Sequence, residues 1–527
     1  MLFEWAFPYP SQRMPVLARN VVATSQPLAA QAGLSALQQG GNAVDASLAA
    51  AICLTVVEPT SNGIGGDAFA IVWDGSDLLG LNGSGRSPAS WSPERFRDLE
   101  RMPDRGWDSV TVPGAVAAWA DLSEKAGALP FTDLFAPAVR YAREGFPVSP
   151  LTARAWARAA DLFKDFPAFA GTFLPGGRPP EAGETFRCPE LADTLEEIAE
   201  TRGDSFYRGR LSRAIVKEAR RGGAALSDED LAGHASTWVH PLSMQYGDAD
   251  LHELPPNGQG LSALVALGIL DRLDLSGCAP DSPDAIHLQI EAMKTGLETA
   301  YRHVADPEHM TVPPEAFLEE SFLDRKAAEI RRDRARRVGG PVRKGGGTVY
   351  LAAADEAGRM VSFIQSNFYG FGSGVVIPGT GISLQSRGLG FTLEAGHPNR
   401  VGGGKRPFHT IMPGFVTRQG GPVMSFGVMG GNMQAQGHLQ MMARIFAYGQ
   451  NPQAASDAPR WYLFEDFRLA LEPGFEPATA VSLAARGHAI AGDDAGARFG
   501  GAQLIHKVEG GWLAASDSRK DGQAVGY

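Results

Sequence analysis

Three glycines, Gly345-Gly346-Gly347, lead into Thr348, then Val349-Tyr350-Leu351 and an alanine-rich run that reaches Asp355. Glycine backbones reach conformations barred to other residues, and the apolar run beyond reads as a strand. The sequence therefore places a threonine where a permissive loop enters a strand. Two readings are open from these residues alone. One is a flexible glycine loop entering a strand. The other is a chain cut before Thr348. A threonine freed there carries a hydroxyl and a base, its own α-amine, on one residue, which is the N-terminal-threonine form of an activated nucleophile.

The rest of the chain narrows the class. Its 527 residues can bury a large core and suggest about two to four domain-sized units. A net charge of −11 argues against nucleic acid as the main partner. Cys53, Cys188 and Cys278 are scattered, with no CxxC spacing, and predict neither a disulfide framework nor a zinc site. The N-terminus lacks a basic flank and a long apolar run, so no signal peptide is expected. The longest apolar stretch, 46–57, is interrupted by Thr55 and too short to span a bilayer. The expectation is a cytoplasmic protein with no membrane partner.

Ser25 is the expected cap of a helix running to Gln39 and stopped by Gly40-Gly41. Asn42 caps a second helix, from Ala43 to about Thr55, whose alanines suit a buried layer. A glycine-rich loop follows at 59–66, then a strand over 68–73. Helical spacing recurs over 114–125, 189–201, 211–221, 261–273 and 284–303. Strands separated by long helical stretches indicate a layered α/β or α+β protein. Residues 331–344 are basic and end in Gly339-Gly340-Pro341 and Lys344, the composition of a surface loop. Beyond Thr348 the texture turns to β. Strands at 349–354 and 361–365 flank a hairpin turn at 355–358, and a further strand at 375–377 follows the glycine segment 370–374.

Together these segments resemble the γ-glutamyltransferase family of self-processing N-terminal-nucleophile hydrolases. The resemblance runs from Gly40-Gly41-Asn42-Ala43-Val44-Asp45-Ala46 through Leu226-Ser227-Asp228-Glu229-Asp230-Leu231-Ala232-Gly233 and Ile290-Glu291-Ala292-Met293-Lys294 to Pro459-Arg460. It implies an α+β fold, a four-layer αββα sandwich. It also implies cleavage between Gly347 and Thr348 into a large subunit, 1–347, and a small one, 348–527. Thr348 becomes the expected nucleophile, and Ser366 sits where the family places a hydroxyl beside it. Gly430-Gly431 match the pair whose N–H groups form an oxyanion hole. No cofactor and no metal are implied, and the expected partner is a small-molecule amide. Whether the two-subunit unit pairs into a homodimer of heterodimers stays open.

The chain departs from the family where the glutamyl group is gripped. Gly390 replaces the aspartate that pairs with the substrate ammonium, and Arg387 stands in place of glutamine. Phe368 replaces an asparagine, and His409-Thr410 replace two serines. The carboxylate-binding arginine aligns with Ser84, with Arg86 two residues on. An acid has been lost and cationic or donor groups gained, which favours an acyl group with a carboxylate and no α-amine. The divergent branch this resembles includes oxamate amidohydrolase and glutaryl-type acylases. Arg86 and Arg387 have a second reading, as structural ion-pair partners.

Other signals are weak. Gly63-Ile64-Gly65-Gly66-Asp67-Ala68 precedes a strand instead of joining strand to helix, so it is not a dinucleotide fingerprint. No GxxxxGK[ST], HExxH or GxSxG motif occurs. His303 and His309 near Asp306 match no standard metal spacing, and His438 reads as a packed, hydrogen-bonded histidine. The alternative activity is that of a glutathione hydrolase or γ-glutamyltransferase proper, and an unprocessed, non-catalytic binding relative of the same fold is the competing function class.

Overall fold

The computed structural model describes residues 12–338, 347–492 and 499–527. Gly345, Gly346 and residues 339–344 of the basic loop lie outside the described residues.

Val349–Ala354 and Met360–Ser366 form the expected antiparallel hairpin, with Val349 opposite Gln365 and Ala354 opposite Met360. Every residue of both strands is buried, which explains apolar or small side chains at nearly all positions instead of alternate ones, with buried Gln365 hydrogen-bonded to Ala51 O and Asn62. Successive side chains leave on opposite faces. Val349, Leu351 and Ala353 join a core shared with helices, whereas Tyr350, Ala352 and Ala354 join one shared with a second sheet.

The hairpin is central in a seven-stranded sheet. Its spatial order is Gln523–Gly526, Val21–Thr24, Val349–Ala354, Met360–Ser366, Asp67–Trp73, Leu78–Asn82 and Thr237–Val239. The second sheet also has seven strands, ordered Val16–Ala18, Gly511–Ser516, Gly501–Val508, Gly421–Met429, Gly414–Arg418, Ala249–Glu253 and Leu242–Tyr246. All neighbours in both sheets are antiparallel. Between the sheets lie Phe69, Ile71, Tyr350, Phe415, Met429 and Ile505. Helices Pro27–Gln38 and Ala43–Val57 cover the outer face of the first sheet, and Gly260–Asp271, Pro283–His303 and Met433–Met442 cover that of the second. The result is an α+β, four-layer αββα sandwich. Each fully buried aliphatic side chain in these layers contributes about 1.5–3 kcal/mol.

Asn42 caps the second helix as expected, accepting from the N–H groups of Val44 and Asp45, while Asp45 returns the bond to Asn42. Asp355 at the hairpin turn accepts from Ala43 N–H, fastening the hairpin after Thr348 to this helix start. The first helix differs from the expectation. Its cap is Gln26, whose side chain accepts from Leu28 and Ala29, because the Ser25 hydroxyl donates instead to Glu58. No helix among the described residues is long and apolar enough to cross a membrane.

Candidate active site

Strand register assembles the site. Ser366 lies directly opposite Asp67, and Val349 lies opposite Gln365, so Thr348 stands beside Ser366 at the same sheet end. Thr348, Ser366 and Asp67 share strand parity with Tyr350, Ile364 and Phe69, and so face the inter-sheet layer. Thr348 is 2% exposed and its Oγ1 donates to Ser366 Oγ at 3.2 Å. Ser366 Oγ in turn donates to the carbonyl oxygen of Gly347 at 2.9 Å and accepts from Phe368 N–H at 2.8 Å. One hydroxyl therefore touches both the Thr348 hydroxyl and the carbonyl of the preceding peptide bond.

Phe368 leads to Arg387. The turn after Ser366 puts Phe368 at φ 75°, a left-handed conformation uncommon outside glycine. Its ring lies under the Arg387 guanidinium, 4.6 Å from Cζ. Arg387 is 1% exposed and donates through Nη1 to Thr410 Oγ1 at 2.9 Å. Its Nε and Nη2 are buried with no acceptor among the described residues. Burial draws the guanidinium down to about 9, partly offset by Asp67, so it stays charged at neutral pH. A buried cation with two idle donors is costly unless an anion meets them.

Asp67 was not singled out by sequence reasoning. Its Oδ2 meets His409 Nε2 at 3.1 Å and its Oδ1 accepts from Gly114 N–H at 3.1 Å. Burial pushes its carboxyl up to about 7, with Arg387 the chief restraint. His409 is fully buried beside Arg387 and Arg406, which holds it neutral, well below the ordinary imidazole range. Ile411 N–H donates to its Nδ1 at 3.4 Å, which assigns the proton to Nε2 and makes His409 a donor to Asp67. The sequence signal lies in Gly63–Asp67, the glycine-rich segment that is no nucleotide motif. A Cβ on Gly66 would stand 2.8 Å from Ser366 O, so glycine there lets the Asp67 loop close on the strand Met360–Ser366.

Gln259, also missed, links the remaining parts: its Nε2 donates to the carbonyls of Thr410 and Gly431, the latter at 3.1 Å. Gly430 (φ 127°) and Gly431 (φ 61°) both have positive φ and join the strand Gly421–Met429 to the helix Met433–Met442. A continuous set of contacts thus runs from Thr348 through Ser366, Phe368, Arg387, Thr410 and Gln259 to Gly431.

Two expected substrate contacts sit elsewhere. Arg86 is committed to Asp306 (2.8 Å) and the Gly404 carbonyl (2.8 Å), with Glu308 at 3.6 Å, so it takes the ion-pair reading. Gly390 does not present a side-chain direction to the pocket, which corrects the expectation that it faces substrate. A Cβ there would meet the Phe408 carbonyl oxygen at 2.3 Å. Gly390→Asp is accordingly expected to destabilise by about 1–3 kcal/mol or more through overpacking, and to bring no gain on γ-glutamyl amides. A thermal melt with an assay on a γ-glutamyl amide checks both; unchanged Tm with raised turnover would mean the direction is wrong.

The histidines have local partners. His438 Nδ1 pairs with buried Glu253 at 2.5 Å, and His303 packs on Phe317 with centroids 4.8 Å apart. Asp306 is held by Arg86 and by Arg406 N–H. Among the described residues His287, Glu291 and His488 bring three possible ligand atoms within 4.8 Å of one another. His287 Nδ1 is already bonded to His488 Nε2 at 2.8 Å, and Glu291 to Lys294 Nζ at 2.7 Å. That ammonium opposes a cation, and we assign the cluster a packing role.

Comparison with known proteins agrees with this geometry. The gamma-glutamyltranspeptidase family model matches residues 29–527. The glutathione hydrolase-like YwrD proenzyme of Bacillus subtilis is 35% identical over 96% of this chain and 98% of its own length. The oxamate amidohydrolase proenzyme of Klebsiella pneumoniae is 35% identical over 95% and 97%. The crystal structure of cephalosporin acylase from Bacillus halodurans superposes with a TM-score of 0.94 at 46% identity, covering 100% of this chain and 99% of that one. With that model matched over residues 29–527 and both sheets in place, the chain belongs to the gamma-glutamyltranspeptidase family.

Proposed function

We propose that this protein is a self-processing N-terminal-threonine amidohydrolase. It cuts its own Gly347–Thr348 bond, then hydrolyses the amide of a small acyl compound that carries a carboxylate and no α-ammonium. The observation that carries the reading is Ser366 Oγ, bonded to both Thr348 Oγ1 and the Gly347 carbonyl. Both products of the cut supply strands to both sheets, so the large and small subunits stay together as one folded unit.

In the first reaction Thr348 Oγ1 adds to the Gly347 carbonyl carbon while the Ser366 hydroxyl meets the developing oxyanion. The Oγ1 proton passes to the nitrogen as the C–N bond breaks, leaving an ester, which water opens to return a proton to Oγ1. The amide nitrogen of Thr348 has then become an α-amine with a pKa of roughly 7.7–8.0, suited to proton transfer near neutral pH. In turnover this amine takes the Oγ1 proton as Oγ1 attacks the substrate carbonyl. The Gly430 and Gly431 N–H groups receive the oxyanion. The amine gives its proton to the leaving nitrogen, the acyl ester forms, and water activated by the same amine releases the acid.

Specificity rests on Arg387. Its idle Nε and Nη2 form a fork for a carboxylate. The relative named oxamate amidohydrolase supports an acyl group of this kind. Processed protein offered oxamate, a glutaryl anilide and glutathione should favour one of the first two in kcat/KM by about 10–100-fold, the 1.5–3 kcal/mol of one charge-assisted hydrogen bond. Glutathione turning over much faster than both would overturn the assignment.

A further inference from the structure

Arg387 already has an anion in its neighbourhood, Asp67, and the substrate class proposed above brings a second carboxylate to the same buried cation. We propose that Asp67 is a specificity-determining residue: a carboxylate enters the Arg387 fork together with a proton, and Asp67 takes that proton up. The inference rests on the reading of Arg387 as the acyl-carboxylate site and adds what that site exchanges with solvent.

The contacts close into a ring. Asp67 Oδ2 meets His409 Nε2 at 3.1 Å, and Thr410, the next residue, accepts from Arg387 Nη1 at 2.9 Å. On the other side the Arg387 guanidinium lies over Phe368, whose N–H donates to Ser366 Oγ, and Ser366 stands opposite Asp67 in the sheet. The backbones are tied too: Gln385 N–H donates to the Gly65 carbonyl at 2.9 Å, each two residues before a member of the pair. Asp67 nevertheless leaves the fork free. Its Oδ1 is taken by Gly114 N–H at 3.1 Å and its Oδ2 by His409, while Arg387 Nε and Nη2 have no acceptor among the described residues. Each charge favours the ionised form of the other.

Asp67 is also the group in this ring poised to titrate near neutrality. Burial raises it to about 7, against the restraint of Arg387 and, more weakly, Arg406. His409 is neutral and far below its ordinary range, and His234, against Gly114, is pushed down to about 3. Burial pushes the Tyr207 phenol up and keeps it protonated. The α-amine that Thr348 gains on cleavage lies one strand further, across Ser366. A carboxylate in the fork offsets the charge of Arg387 and sets a like charge near Asp67, and both effects favour protonated Asp67. Above about pH 7 the free protein therefore takes one proton from solvent as the carboxylate binds, forming an O–H bond on Asp67, and returns it when the site empties. Below that pH Asp67 already holds its proton and binding takes up none. Affinity for a carboxylate then falls as pH rises, whereas a neutral acyl group feels no such effect.

The probe is the methyl-ketone analogue of glutaramate, in which CH3 replaces NH2, so that one carboxylate remains and no amide can be cut. Its binding to the purified wild-type protein is followed by calorimetry at about pH 6, 7 and 8 in buffers of different ionisation enthalpy, which counts protons taken up. Methyl butyl ketone, with a methyl in place of the carboxylate, is the control. Uptake beyond the control should climb from near zero to near one proton, and Kd should weaken by about 10-fold across that range, as for one group titrating near 7. Asp67→Asn should abolish this uptake and hold nearly the wild-type affinity of the acid end throughout. Neutral His409 can present Nε2 as an acceptor to the asparagine amide, which keeps the shape. If that variant fails a folding check by circular dichroism, an infrared difference spectrum of wild type decides. With the probe's carbonyl carbons isotopically heavy, a protonated-carboxyl band at the ordinary carbon frequency should appear on binding at the alkaline end, and its absence would overturn the inference. Probe binding without proton uptake, or uptake unchanged in Asp67→Asn, would overturn it while leaving the Arg387 reading intact. A probe that binds no better than methyl butyl ketone at any pH would remove both.

Discussion

Thr348→Ala leaves the protein as a single uncut chain and lowers amide turnover by about 10⁴-fold or more, the scale on which removing a covalent nucleophile acts. Two losses coincide. Without Oγ1 nothing adds to the Gly347 carbonyl, and without the cut the nitrogen at position 348 remains an amide with no basic lone pair. Thr348→Ser keeps a hydroxyl on the same backbone and should both cleave and turn over, more slowly, because the methyl that fixes the threonine rotamer is gone. The fold should survive either change, since the two central strands beside position 348 are held by their own ladder and by cores on both faces. Gel mobility and an anilide assay check the pair. A Thr348→Ala protein that is still cut at that bond and still hydrolyses substrate would remove the nucleophile assignment.

Arg387→Met lowers kcat/KM on a carboxylate-bearing acyl amide by about 10²-fold, the worth of one or two charge-assisted hydrogen bonds. A butyryl amide, lacking the carboxylate, should lose far less, and this split separates recognition from a general loss of structure. Stability should change little or rise, because methionine spares the fold a desolvated cation whose Nε and Nη2 have no protein acceptor. The change also has a signature in pH. Arg387 is the chief influence holding Asp67 down, so its removal should move the Asp67 titration above about 7. The sign for folding follows from the raised value. A buried carboxyl lifted above its unfolded pKa favours the folded state at acid pH, and that benefit is lost as pH rises through about 7. In Arg387→Met the decline should continue to higher pH before it levels off, as a urea midpoint measured from pH 5 to 9 would reveal. Equal losses on glutaryl and butyryl amides would show that Arg387 only supports the pocket wall.

How much was legible in the sequence depended on range. Asn42 was readable as a cap because its partners, Val44 and Asp45, are two and three residues away. Ser25 misled for the opposite reason: its hydroxyl goes to Glu58, 33 residues on, and Gln26 takes the cap. The hairpin after Thr348 was plain from its pattern and its turn. Asp67 was not, since what sets it apart is a strand partner near 366 and a histidine 342 residues away. Alignment gave Gly390 a position but not a direction, and only the Phe408 carbonyl against its face reveals that no side chain fits. For Arg86 the sequence left two readings, and the ion pair to Asp306 distinguishes them by proximity across 220 residues.

The most direct test of the account is the intact mass of the purified wild-type protein after incubation at neutral pH, with N-terminal sequencing of any fragment. The account predicts two polypeptides that remain associated, the smaller beginning Thr-Val-Tyr-Leu at Thr348. A chain that stays whole at 527 residues and hydrolyses none of the amides would contradict it.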